Sequence, residues 1–151
     1  MSRAARSTDS EYRGPLLGAL LRLAHQEVQA HLAANLDGFL SLSGPVGQPL
    51  YEHPEGLRPT QLAALAGITK QSMAEVIDSM EAAGYVERAP DPSDGRARLV
   101  RFTAKGKRTA VHIRKLVREI EARWAERVGA TRLEAMRSTL EAIVAGQGRG
   151  E

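Results

Sequence analysis

Apolar residues recur at three- and four-residue steps over much of the chain, which predicts a largely helical protein. From Gly14-Pro15 to about Phe39, Leu16, Leu20 and Leu23 alternate with Leu17, Ala24, Val28, His31 and Leu32. That apolar surface is broad for one helix at the edge of a small domain. It calls for burial against a second chain or against the C-terminal helices. Segment 41–56 is irregular. Ser43 is a candidate cap for a short helix with Pro45 in its first turn, ending near His53-Pro54, and Pro49 would lie far enough inside to kink it.

The next segment reads as two helices around a tight turn. Pro59 to Ala66 forms the first, with Leu62 and Leu65 inward, and Gly67 supplies the left-handed stop. Thr69 caps the second, whose inner positions are Met73, Val76, Ile77 and Met80; Gly84 ends it. This is a helix-turn-helix pattern. VERAP and ARLVRF then flank the turn residues DPSDGR, predicting a hairpin with Val100 and Phe102 on one face. Thr103 caps a long helix over about 104–128, with Val111, Leu116, Val117, Ile120, Trp124 and Val128 inward. Gly129 breaks it. Thr131 and Glu134 suggest a capping box for a last helix carrying Leu133, Met136, Leu140 and Ile143.

Charge changes the picture at the hairpin. The formal net charge is only +3, yet segment 85–118 holds ten Lys/Arg against three acids. Local asymmetry of this kind points to a polyanion, or else to a solvated helix beside a polar turn. A turn needs Pro, Asp and Gly for its backbone, not arginines. The outer face of the second helix carries Lys70, Gln71, Ser72 and Glu75, with no bulky side chain to keep it out of a major groove. Lys70 suits a phosphate or a guanine edge, Gln71 an adenine, Ser72 either a base or a phosphate. A hairpin directly after such a helix is a wing. Arg96, just past the turn, reaches furthest and suits a narrow minor groove. Arg98, Arg101 and Lys70 suit the flanking backbone. Asp94 is placed to orient the Arg96 guanidinium.

Other chemistry is poorly represented. The absence of cysteine excludes disulfides, thiolate metal sites and thiol redox sensing. His25, His31, His53 and His112 lack metal-ligand spacing. No Gly-rich phosphate loop, GxSxG or HExxH is present, so neither catalysis nor a cofactor is expected. The start, MSRAARSTDSEYR, does not read as a signal peptide, and no run is long enough to span a bilayer. A cytoplasmic protein without membrane contact is the expectation.

Over 57–107 the chain resembles the MarR family of bacterial transcription regulators. The resemblance is carried by the helix-turn-helix followed by GYVER, by DPSDGRA and by FTAKG, and the flanking helices agree in order and length. It implies a mainly α fold with a small β-hairpin wing, in which one domain (13–145) sits between tails at 1–12 and 146–151. Helices within 13–40 and 104–145 would dimerise, and 57–103 would be the winged helix-turn-helix. It further implies a homodimer, triangular in shape, on a pseudo-palindromic stretch of double-stranded DNA. Such a protein is commonly a repressor released by a small aromatic or phenolic effector. His31, Phe39 and Tyr51 fall on segments that border the family's ligand pocket; packing is the alternative role for each. Trp124 reads as a core or dimer-interface aromatic.

Two positions depart from the family pattern. Gly95 stands where many relatives carry Arg, which removes a wing charge and predicts a looser turn. Glu75 also replaces a frequent Arg. It either accepts a hydrogen bond from cytosine N4 or pairs with Lys70 or Arg96 within the chain. The competing function is a dimeric adaptor whose winged helix binds protein, which predicts no salt-dependent duplex binding.

Overall fold

A computed structural model describes residues 14–36, 44 and 46–145 of the 151-residue chain. Six helices and one hairpin follow in order: α1 (Leu17–Asn35), α2 (Gly47–Glu52), α3 (Pro59–Ala66), α4 (Lys70–Ala82), β1 (Val86–Asp91), β2 (Asp94–Phe102), α5 (Ala104–Val128) and α6 (Ala130–Ala145). The fold is mainly α with a two-stranded antiparallel wing. No helix among the described residues is long and apolar enough to cross a membrane.

The local stops and caps explain the element order. Gly67 leaves α3 in the left-handed conformation (φ 63°) and turns the chain into α4. Thr69 Oγ1 accepts the Ser72 N–H at 3.1 Å, and Thr103 Oγ1 accepts the Gly106 N–H at 3.1 Å, so both threonines satisfy a first-turn donor. Met73, Ile77 and Met80 bury one face of α4. Each such side chain contributes roughly 1.5–3 kcal/mol by leaving water. Val100 and Phe102 turn inward from β2 to meet them in a core completed by Leu32 of α1, Leu50 of α2, Leu62 of α3 and Ile113 and Leu116 of α5. Leu57 extends the wing: its N–H donates to Val100 O (3.0 Å), and its carbonyl accepts the Val100 N–H (2.8 Å).

Several expectations are corrected. Leu65 is exposed, and Ala63 takes its place in the core. At about 100° per residue, Leu65 falls roughly 60° outside the arc of Leu62, Ala66 and Ala63. Val111 is exposed for the same reason, one step beyond Ala110, while Ala110 and Ile113 are buried. Val128 is exposed because it lies in the last turn of α5, beyond the buried Ile120. Pro49 is the third residue of α2, where its missing N–H has no helical partner to lose, so it does not interrupt the helix. α6 begins one residue before Thr131, with Leu133 N–H donating to Gly129 O at 3.1 Å. The Thr131–Glu134 capping box therefore does not form, and Glu134 accepts from Arg137 instead. α1 ends at Asn35, whose side-chain amide donates to His31 O at 2.8 Å. Ser43 and Pro45, the expected start of the short helix, lie outside the described residues, as does Phe39.

The long helix α5 lies against α1, α2 and α6. The first half of α1 nevertheless leaves Leu17, Leu20, Leu21 and Leu23 exposed, and α6 buries no residue at all.

Candidate nucleic-acid interface

α4 presents Lys70, Gln71, Ser72 and Glu75 to solvent, opposite Met73 and Ile77. The cap shapes this end of the helix. Thr69 Oγ1 also donates to Ser72 Oγ at 2.9 Å, which leaves the Ser72 hydroxyl proton free to point outward. Further along α4 the acids are occupied. Arg88 of β1 donates Nη2 to Asp78 Oδ1 at 2.6 Å and Nη1 to Glu81. This fork fastens the wing to the helix it follows. Neither of the ion pairs expected for Glu75, to Lys70 or to Arg96, is present.

The wing turns through Pro92-Ser93, with β2 beginning already at Asp94. Register shifts between Pro90, which faces Arg98, and Asp91, which faces Asp94, so residues 95–97 form a bulge. Asp91 is nearly buried and holds the turn from inside. Its Oδ1 accepts the Ser93 N–H (2.8 Å) and hydroxyl (2.7 Å); its Oδ2 accepts Arg58 Nε (2.7 Å), and Arg58 Nη2 lies 2.6 Å away. Asp94 Oδ1 accepts the Arg96 backbone N–H at 3.1 Å. Asp94 thus bonds the backbone of Arg96 and not its guanidinium. Its other oxygen lies 3.8 Å from Arg58 Nη2.

The arginines divide by partner. Arg101 donates Nε to Glu87, its cross-strand neighbour, at 2.7 Å. Arg96 and Arg98 are exposed and make no ion pair among the described residues.

Hydrogen bonds from Ser93 and the Arg58 guanidinium hold the Asp91 carboxyl at about 2, below its ordinary 3.8. A depressed carboxylate stabilises the fold above its unfolded value and loses that effect as pH falls through the folded one. Asp91→Asn is therefore expected to lower the urea midpoint at neutral pH. The gap to the wild type should close between about pH 4 and pH 2. A gap of constant size across that window would mean that the carboxylate charge is not what holds the turn.

Arg58, Ser93 and Arg88 hold the wing through contacts outside the residues that the sequence pattern marks for DNA. The Asp-Pro-Ser order carries a signal for the Asx turn at Asp91. Arg58 carries none, being 33 positions from its partner.

A cleft of about 590 Å³ lies between α2, α5 and α6. Tyr51 lines it, with the Arg114 guanidinium 4.1 Å from its ring centroid. Arg114 Nη1 donates to Gln48 Oε1 at 3.0 Å, while its buried Nε has no partner among the described residues. His31 does not line this cleft. It sits between α1 and α5, 3.6 Å from Glu119 and 3.3 Å from Arg123. The structure therefore separates His31 from Tyr51.

Residues 50–97 match the model of the MarR family. The match takes in Lys70, Gln71, Ser72, Glu75, Asp94 and Arg96 and stops short of Arg98 and Arg101. No curated protein matches the chain. Among solved structures, a MarR-family transcriptional regulator from Rhodococcus sp. RHA1 is 26% identical with a TM-score of 0.71, over 84% of this chain and 88% of that one. CouR from Rhodococcus jostii RHA1, bound to p-coumaroyl-CoA, is 28% identical with a TM-score of 0.69, over 84% and 87%. The transcriptional repressor CouR bound to a 23-mer DNA duplex is 28% identical with a TM-score of 0.69, over 85% and 92%. Residues 50–97 of this chain are thus similar to the MarR family, and they are set in the winged helix-turn-helix fold that those structures share.

Proposed function

We propose that this chain is a sequence-specific DNA-binding transcription regulator of the cytoplasm, acting as a homodimeric repressor on a pseudo-palindromic operator. One observation carries the reading. α4 carries an exposed polar N-terminal end, and Arg88 clamps its later turns, through Asp78 and Glu81, to a wing on which the Arg96 and Arg98 guanidinium groups have no ion-pair partner among the described residues. An unpaired guanidinium on a rigid hairpin is available to a phosphate or a groove. The CouR structure with a DNA duplex supports the same use of the fold. In this reading 57–103 is the DNA-binding unit, and helices within 13–40 and 104–145 join two copies. The exposed leucines of α1 and the unburied α6 support that division, because clustered exposed apolar side chains ordinarily mark an interface. The cleft at Tyr51 and Arg114 is the site offered for a small releasing ligand, and the binding of p-coumaroyl-CoA by CouR supports a ligand-responsive regulator.

Fluorescence anisotropy on duplex DNA from upstream of the chain's own gene, against a scrambled duplex at several salt concentrations, tests the reading. Tight binding to the upstream duplex with a steep salt slope is expected. Absence of salt-dependent binding to either duplex would favour the protein-binding adaptor.

A further inference from the structure

We infer that Glu75 is a specificity-determining residue of the recognition helix, accepting a hydrogen bond from cytosine N4 in each half-site. The inference rests on the DNA-binding reading above. α4 carries three acids, and the structure treats them differently. Asp78 and Glu81 are held by Arg88. Glu75 is exposed, and nothing in the chain partners it among the described residues. Its helix neighbours explain why. Lys70 is five positions away, off the i+3 and i+4 rows, and the residues at those spacings are Gln71, Ser72, Asp78 and Ser79. No basic side chain on α4 can neutralise it.

A free carboxylate facing a phosphate backbone opposes binding to every sequence. The opposition is offset only where a base edge donates to it. In the major groove the donors are cytosine N4 and adenine N6. Adenine places its own N7 acceptor beside its amine, which repels a carboxylate; cytosine's own major-groove edge carries N4 and no acceptor. Gln71, four residues earlier on the same face, is the better partner for adenine, since an amide can both donate and accept. Gln71 and Glu75 would therefore read neighbouring positions with different preferences. Ala74 between them has only a methyl group to hold the helix away from the groove.

The test is selection from a randomised duplex pool with the full chain and with its Glu75→Ala and Glu75→Gln variants. The wild type should enrich cytosine at one position per half-site, and replacing that base pair should weaken its binding roughly tenfold. Glu75→Ala should lose the preference there alone, keep the rest of the motif and bind a scrambled duplex more tightly. Glu75→Gln should widen the position to admit adenine. Matching circular dichroism melts would show that the surface changes leave the fold intact. An enriched motif identical in all three proteins would overturn the inference and leave the regulator reading standing. Failure of the wild type to enrich any motif, with no salt-dependent duplex binding, would overturn both.

Discussion

Gly106→Ala is expected to destabilise the fold by about 3 kcal/mol or more, although alanine is the better helix former by about 1 kcal/mol. Gly106 is the third residue of α5 and is buried. A Cβ built there would stand 1.9 Å from Tyr85 O and 2.9 Å from Phe102 Cδ1. Neither neighbour is free to give way. Tyr85 O accepts the Thr103 N–H at 3.0 Å, Tyr85 N–H donates to Met80 O at 2.9 Å, and the Thr103 hydroxyl donates to Gly84 O at 2.6 Å. Phe102 is packed in the core. The methyl group must therefore push α5 away from the junction of α4 with the wing, which breaks the Thr103 cap and opens the core below it. The FTAKG motif has its physical reason here: the glycine lets α5 leave the end of β2 against the Tyr85 carbonyl. Urea unfolding checks the expectation, with Gly95→Ala as the control. Gly95 has no atom within 4 Å of an added Cβ, so that change should stay within about 0.5 kcal/mol of the wild type. Equal midpoints for the two variants would mean that the close approach at Tyr85 relaxes at little cost.

What sequence reading recovers follows from the range of the interactions. Thr69, Gly67, Thr103 and Gly84 act on backbone groups within a few residues, so α3, α4 and α5 are legible to within a residue or two. Periodicity gives a face only once its centre is known. In the eight residues of α3, two leucines three apart looked like an inner pair, but the alanines fix the arc and leave Leu65 outside. Thr131 and Glu134 have capping-box spacing, yet Gly129 supplies the first carbonyl and moves the helix start ahead of them, to Ala130. Arg58 and Asp91 meet across 33 positions, and Leu57 pairs with Val100 across 43; no local pattern announces either contact. At the candidate site, sequence sets Arg96 apart by its place just past the turn but gives Arg98 and Arg101 the same role. Register separates them, because Arg101 lies opposite Glu87 while Arg98 lies opposite Pro90.

Arg96→Ala is expected to weaken binding to the preferred duplex by roughly 1–3 kcal/mol and to flatten the slope of log affinity against log salt by about one unit. The geometry argues for a large effect. Asp94 takes the Arg96 backbone N–H and fixes the chain at the bulge, so the side chain leaves a held point and not a slack loop. Its guanidinium, exposed and without an ion pair among the described residues, has no partner there to leave on binding. Arg101 would first have to leave Glu87. The Arg96→Lys variant separates the two ways in which Arg96 can act. A lysine keeps the charge, so a simple phosphate contact would retain both affinity and salt slope. A narrow minor groove favours the planar, weakly hydrated guanidinium over an ammonium. Loss of affinity in Arg96→Lys with the slope preserved therefore identifies groove insertion. Full affinity in Arg96→Lys reassigns Arg96 to the backbone, and unchanged binding in Arg96→Ala removes the wing tip from the interface altogether.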